Sequence, residues 1–125
     1  MVKARDRIKV HKDGRFFEVV AIFDTGAGGS YLSDRAAKEI GYEEYPQPRR
    51  VPLAVKEKEA EIVGYMPAVD IEVAGYVLPE KETVGVIKDL NVDAIVGLNL
   101  IENYDIILQK DAVGFREYPP RAFLL

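Results

Sequence analysis

The sequence predicts a small all-β domain, a barrel or a sandwich, carrying one or two short helices. Short apolar and β-branched runs recur at close spacing, separated by turn residues, with little room for helix. An Asp13-Gly14 pair sits between two strand-like runs, a strong signal for a tight hairpin. The segments Ala21-Ile22-Phe23-Asp24 and Ala94-Ile95-Val96-Gly97 echo one another. Each is an apolar strand ending at a break and followed by a short helical segment, which points to two related halves.

The elements follow in order. Arg5 to Val10 alternates in part, and Arg15 to Phe23 is rich in β-branched and aromatic residues, so the two form the first hairpin. Its second strand runs into Asp24. Tyr31-Leu32 makes a short strand. SDRAAKEIG reads as a short helix, with Ser33 as N-cap, Ala36, Ala37 and Ile40 on the apolar face, and Gly41 as the stop. YPQPRR, Tyr45 to Arg50, is expected as an exposed loop because of its prolines, and Glu43-Glu44 as solvated loop. VPLAV and EIVGY flank a charged patch, Lys56-Glu57-Lys58-Glu59, and predict a projecting hairpin. Val69, Ile71 and Val73 share one face of the next strand, which turns near Ala74-Gly75. ETVGVI is a further strand. DAIVGLNLIENYDIIL is expected as strand, helical turn and strand, and DAVGF as a continuation of the sheet. The tail YPPRAFLL is apolar and broken by prolines.

Composition narrows the function classes. A chain of 125 residues fits one domain over 1–125, and 48% apolar content is enough for a core. Cysteine is absent, which excludes disulfides, thiolate metal sites and cysteine catalysis. The start, MVKARDRIKV, lacks the apolar stretch of a signal peptide, and no run approaches the length of a membrane span. The expected location is the cytoplasm, with no membrane partner. A net charge of −4 argues against nucleic acid as partner, and Arg5/Arg7 and Arg49-Arg50 read as solvated surface. His11, the only histidine, reads as a surface residue beside a turn, and Lys12, Asp13 and Gly14 as that turn. Asp105 reads as structural. No metal and no cofactor is expected.

The stretch FDTGAGGSYLS, Phe23 to Ser33, raises the functional question, because an apolar strand ends there on a charge and is followed at once by Thr and Gly. A nucleotide-binding loop fails on two counts. Tyr31 stands where the third glycine of G-x-G-x-x-G belongs, and no Lys-Ser/Thr pair follows. An acid at the mouth of such a loop would also repel phosphate. A plain turn, with the Asp24 side chain bonded to nearby backbone N–H groups, is the bland alternative. The tripeptide alone does not decide, since it arises by chance in about a few per cent of chains this long.

The surroundings of the tripeptide carry a resemblance. An apolar strand ending in Asp24-Thr25-Gly26-Ala27 resembles the active-site loop of the retropepsin-like aspartic proteases. The preceding hairpin, Ile8 to Phe23, has a counterpart in that family. So does a mid-chain flap hairpin, here Leu53 to Tyr65, and a late apolar-apolar-Gly segment entering a short helix, here Ile95-Val96-Gly97-Leu98-Asn99-Leu100-Ile101. Order and spacing fit over roughly residues 5 to 117.

The resemblance implies a small closed barrel and an aspartic endopeptidase. One Asp-Thr-Gly per chain implies a homodimer, with Asp24 of each chain meeting at the two-fold axis and activating a water molecule. It implies that Thr25 braces the two loops across the axis, that Gly26 lets backbone approach the carboxylate, and that Ala27 sits beside the substrate. Ile95, Val96 and Gly97 would support the loop from below. The substrate would be an extended polypeptide between floor and flap. Its walls would include Ile22, Gly28 and Gly29, with Val55, Lys56, Glu57 and Lys58 at the flap. Retropepsin flaps usually have a glycine-rich tip, whereas here the tip reads VKEKEAE. The other outcome is a domain of the same fold that dimerises or binds peptides with little or no cleavage. The apolar tail, Ala122 to Leu125, is expected to pack on a partner chain or into its own barrel.

Overall fold

The computed structural model describes residues 2–52 and 59–117. Among them the order is β1 (Lys3–Lys12), β2 (Arg15–Asp24), β3 (Tyr31–Ser33), α1 (Asp34–Lys38), β4 (Glu43–Pro52), β5 (Glu59–Val73), β6 (Tyr76–Val77), β7 (Glu82–Ile87), β8 (Ala94–Val96), α2 (Leu98–Asn103), β9 (Ile106–Gln109) and β10 (Ala112–Phe115).

The first hairpin follows from its turn. Asp13 and Gly14 both take left-handed φ angles, 52° and 77°, as a two-residue turn matching strand twist requires. Lys12 therefore lies opposite Arg15, and the pairing runs unbroken to Lys3 opposite Asp24. Alternation sorts the two faces. Ala4, Ile8, Val10, Val19, Ala21 and Phe23 point into the core. Arg5, Arg7, Phe16, Glu18 and Val20 point out.

The strands close on themselves. The hydrogen-bonded order β1-β2-β8-β3-β7-β5 returns from β5 to β1, giving a closed six-strand barrel, with β4 and β6 added to β5 outside the ring. β5 can serve four neighbours because it is 15 residues long and bends. Its register with β7 shifts between Ile62 and Gly64 and again between Met66 and Val69, and Ala68 in the second shift has φ 56°. Such bulges turn a strand round a barrel corner. Val69, Ile71 and Val73 all face inward, at 0–2% exposure. Ala74 and Gly75 form the following turn with positive φ.

The two segments that echo one another in sequence are neighbours in space. β8 runs parallel to β2, with Ala21 opposite Ala94, Ile22 opposite Ile95 and Phe23 opposite Val96. Its other edge pairs antiparallel with β3. The α1 N-cap is as expected: the Ser33 hydroxyl accepts the Ala36 N–H at 3.1 Å.

Three local expectations are corrected. Tyr45 to Arg50 is not a loop, and Glu43-Glu44 is not solvated loop; both belong to β4. Glu43 and Glu44 pair with Tyr65 and Gly64, and pairing resumes only at Arg49 opposite Ile62. Pro46 and Pro48 fall inside that break, on an edge strand, where a missing N–H costs no ladder bond. DAVGF does not continue the main sheet but pairs with β9 in a separate two-stranded ladder. The two arms expected of the hairpin pair with each other as far as Pro52 opposite Glu59. Its tip and the tail from Tyr118 onward lie outside the described residues.

Candidate active site

β2 carries its chain out of the core and delivers Asp24 at the surface. Phe23, immediately before it, is wholly buried. Burying a side chain of that size contributes roughly 1.5–3 kcal/mol, so the strand end is fixed where the acid emerges. The Asp24 side chain is 17% exposed. Its Oδ1 accepts the Gly26 N–H at 2.8 Å, and its Oδ2 lies 3.8 Å from the Lys3 ammonium. Its backbone carbonyl accepts the Ala27 N–H at 3.1 Å, closing a tight turn.

Thr25 faces the first residues of the chain. Its N–H donates to the Val2 carbonyl at 3.0 Å. Its hydroxyl accepts the Val2 N–H at 2.8 Å and lies 3.3 Å from the Val2 carbonyl.

The loop from Ala27 to Ser30 is bonded to the β8–α2 junction. The Leu98 N–H donates to the Ala27 carbonyl at 2.6 Å, and the Asn99 N–H to the Gly28 carbonyl at 3.2 Å. Ser30, 8% exposed, joins the two segments through its side chain. Its hydroxyl accepts the Gly97 N–H at 3.0 Å and donates to Asn99 Oδ1 at 2.9 Å. Gly97 is a matter of space rather than of φ. A Cβ there would lie well inside contact distance of the Gly29 carbonyl oxygen and 2.6 Å from the Ala27 carbonyl oxygen.

The candidate residues thus separate into groups. Asp24, Thr25, Gly26, Ala27, Gly28 and Gly29 form one loop, and Ile95, Val96 and Gly97 lie directly beside its stem and under its far side. Ile22 is half-buried on the same face of β2 as Asp24. Val55, Lys56, Glu57 and Lys58 lie outside the described residues. Sequence reading missed Val2, Lys3, Ser30 and Asn99. The hairpin turn contains the signal for Lys3, since it fixes the register that brings Lys3 opposite Asp24. A serine directly after Gly28-Gly29 and an asparagine two residues after Gly97 are the signals for the others, and neither residue type stands out in a loop.

Burial shifts the titration of Tyr104, Glu82 and Tyr42. Burial pushes the Tyr104 phenol up to about 12, with Glu80 and Glu82 adding to it. Burial, then Glu80, raises the Glu82 carboxyl. Burial, then Glu44 and Asp34, raises the Tyr42 phenol. Among the described residues no group of three His, Cys, Asp or Glu side chains could hold a metal ion. Among them too, no helix is long and apolar enough to cross a membrane.

Solved structures share this fold. The retroviral protease-like domain of Ddi1 from Leishmania major matches at a TM-score of 0.57 and 20% identity, over 91% of this chain and 95% of that one. A retropepsin-like aspartic protease from Rickettsia conorii matches at a TM-score of 0.55 and 20% identity, over 90% and 89%. At that identity the likeness is one of fold, and the barrel is of the retropepsin type. No curated protein sequence matches the chain. The sequence pattern of the aspartyl protease family matches residues 8–109. That span contains the Asp24 loop, the hairpin arms and the β8–α2 junction beneath the loop, and the chain belongs to the aspartyl protease family.

Proposed function

We propose that this chain is an aspartic endopeptidase that works as a symmetric homodimer, with the two Asp24 carboxylates facing each other across the two-fold axis. The observation that carries this reading is Asp24 itself. It is a half-buried acid at a strand end, with one oxygen held by the Gly26 N–H and its loop bonded to the β8–α2 junction. A lone carboxylate so placed does little; a facing pair does the chemistry. Two carboxylates a few ångströms apart share one proton, and the shared titration belongs to the pair. The charged member takes a proton from water, and the resulting hydroxide attacks the scissile carbonyl carbon. The protonated member gives its proton to the carbonyl oxygen. When the tetrahedral intermediate collapses, the C–N bond breaks, the amide nitrogen leaves with the proton that the first carboxylate took from water, and a hydroxyl of the intermediate returns its proton to the second carboxylate, so the pair again holds one proton. An isologous pairing uses the same patch on both subunits. The β4–β5 hairpin is the element proposed to cover the substrate as a flap. The expected setting is the cytoplasm.

A second reading has its own observation. Val2 engages the hydrogen-bonding groups of Thr25, and Lys3 lies beside the Asp24 carboxylate. Both contacts occupy groups that catalysis and pairing need, as suits a domain that binds peptide with little cleavage. One experiment separates the readings: casein digestion from about pH 3 to about pH 8, with Asp24→Asn alongside and the dimer state of both read by light scattering. Digestion that disappears in a still-dimeric variant supports the endopeptidase. A dimeric protein that digests nothing and ignores a statine-type inhibitor, which mimics the tetrahedral intermediate, supports the binding domain.

A further inference from the structure

The outer face of the first hairpin carries an unusual row. Lys3, Arg5, Arg7, Lys9 and His11 alternate along β1, and the register places them opposite Asp24, Ile22, Val20, Glu18 and Phe16 of β2. Because side chains alternate along a strand, all ten occupy one face, the face that carries the Asp24 carboxylate. Solvation alone does not require five basic side chains in succession on one strand of a chain whose net charge is −4.

The two ends of the row differ. At the far end the charges are matched within the protein. Lys9 and His11 both reach Glu72, at 3.9 Å and 3.1 Å, and Lys9 also lies 5.2 Å over the Phe16 ring. At the near end they are matched loosely, the Lys3 ammonium lying 3.8 Å from the Asp24 carboxylate. Arg5 forms no ion pair with any described residue. Arg7 meets only Glu18, at 3.4 Å, with its side chain 73% exposed. Directly opposite Arg5 and Arg7 on β2 stand Ile22, half-buried, and Val20, 38% exposed, and Lys3 follows Arg5 at the Asp24 end of the row. The face next to the candidate catalytic acid thus offers two cations two residues apart beside an apolar floor.

We propose that Arg5 and Arg7 select the substrate: they bind a polypeptide carrying acidic side chains two residues apart on one side of the bond to be cleaved, with apolar residues set against Ile22 and Val20. This inference rests on the endopeptidase reading for the identity of the site. Residues two apart in an extended chain are about 6.8 Å apart, the repeat of Arg5 and Arg7 on β1, so an extended peptide matches the row. Guanidinium groups bind carboxylates as planar forks, which suits arginine at these two positions. A nucleic acid fits less well. Its backbone has a phosphate about every 3.4 Å along a strand, and Asp24, Glu18 and Glu72 would stand against that continuous charge.

The test uses the Asp24→Asn protein, so that bound peptide is not consumed, and two fluorescent peptides of about 12 residues. One alternates glutamate with leucine and alanine, and the other has glutamine in place of every glutamate. Anisotropy at low salt is expected to show about tenfold tighter binding of the glutamate peptide, as two partly exposed ion pairs allow. Arg5→Glu with Arg7→Glu is expected to abolish or invert that preference, with circular dichroism confirming the fold. Lys38→Glu, on α1 and outside the row, is expected to keep it. Equal binding of the two peptides, or a preference that survives the double reversal, overturns the proposal. So does tighter binding of a single-stranded oligonucleotide of equal charge. Casein digestion by the wild-type protein separates the two levels. Digestion without a glutamate preference sinks the selection and leaves the protease. A glutamate preference without digestion leaves the binding row and sinks the protease.

Discussion

The Thr25 side chain and the Val2 backbone hold each other: the hydroxyl accepts the Val2 N–H at 2.8 Å, and the Thr25 N–H donates to the Val2 carbonyl at 3.0 Å. A two-fold pairing that needs the acceptor site of the Thr25 hydroxyl now taken by the Val2 N–H displaces that bond. The free energy of pairing then includes the loss of about one hydrogen bond, roughly 1 kcal/mol. Val2→Pro removes the donor and leaves the carbonyl in place. Its dimer dissociation constant is expected to fall about fivefold, measured by sedimentation equilibrium. An unchanged or larger constant in a folded variant would mean that the two chains meet through other groups.

Gly97 is where the loop and its support come closest. Gly97→Ala brings a methyl group into the Gly29 and Ala27 carbonyl oxygens, and neither is the flexible end of a side chain. The backbone must move, and it moves at the loop carrying Asp24. The expected loss of stability is about 1–3 kcal/mol or more, read by urea denaturation. Casein digestion should fall further than the folded fraction does. A variant as stable as wild type would show that the loop yields easily and is not held by this junction.

Ser30 presents a different kind of joint. Its hydroxyl serves the Gly97 N–H and the Asn99 side chain together. Ser30→Ala leaves the Gly97 N–H, on a buried residue, without its partner, and such a group costs about 1–3 kcal/mol. Ser30→Ala and Asn99→Ala share one bond, so their effects should not add. A double-mutant cycle is expected to give a coupling of about 0.5 kcal/mol or more. Additive losses would mean that the two side chains stabilise the loop separately.

The barrel was legible because its decisive signals are local. Asp13-Gly14 specifies a turn type, that turn fixes a register, and alternation then assigns each residue of Lys3–Asp24 to a face. Ser33 announces its helix because capping is a short-range bond. Asp24 stood out because an apolar strand ending in an acid conflicts with burial unless the acid has a task. The misread segments depended on distant partners. Pro46 and Pro48 argue for a loop on propensity alone, yet β5 recruits the residues around them as an edge strand. The β9–β10 ladder looks like more of the same sheet until the ring closes without it. Ser30 and Asn99 are 69 residues apart, and nothing local marks either as the other's partner. Arg5 and Arg7 read as surface because a row becomes visible only once the register places them beside Ile22 and Asp24.

Tyr104 supplies a test of the core by pH. It is 1% exposed, and burial pushes its phenol up to about 12, with Glu80 and Glu82 adding to the shift. In the unfolded chain a tyrosine titrates near 10. The folded state therefore keeps the proton that the unfolded state releases. Its contribution to stability is complete below about pH 10 and is lost as the pH rises through about 12. Across that window stability should fall by up to about 1.4 kcal/mol per pH unit from this group. Tyr104→Phe removes the titrating group and keeps the ring, although the 3.4 Å contact with Glu80 Oε1 goes with the hydroxyl. The variant is expected to show a flatter urea midpoint between about pH 10 and about pH 12 than the wild type. Parallel curves for the two proteins would mean that the phenol titrates alike in both states, and that the Tyr104 pocket admits water.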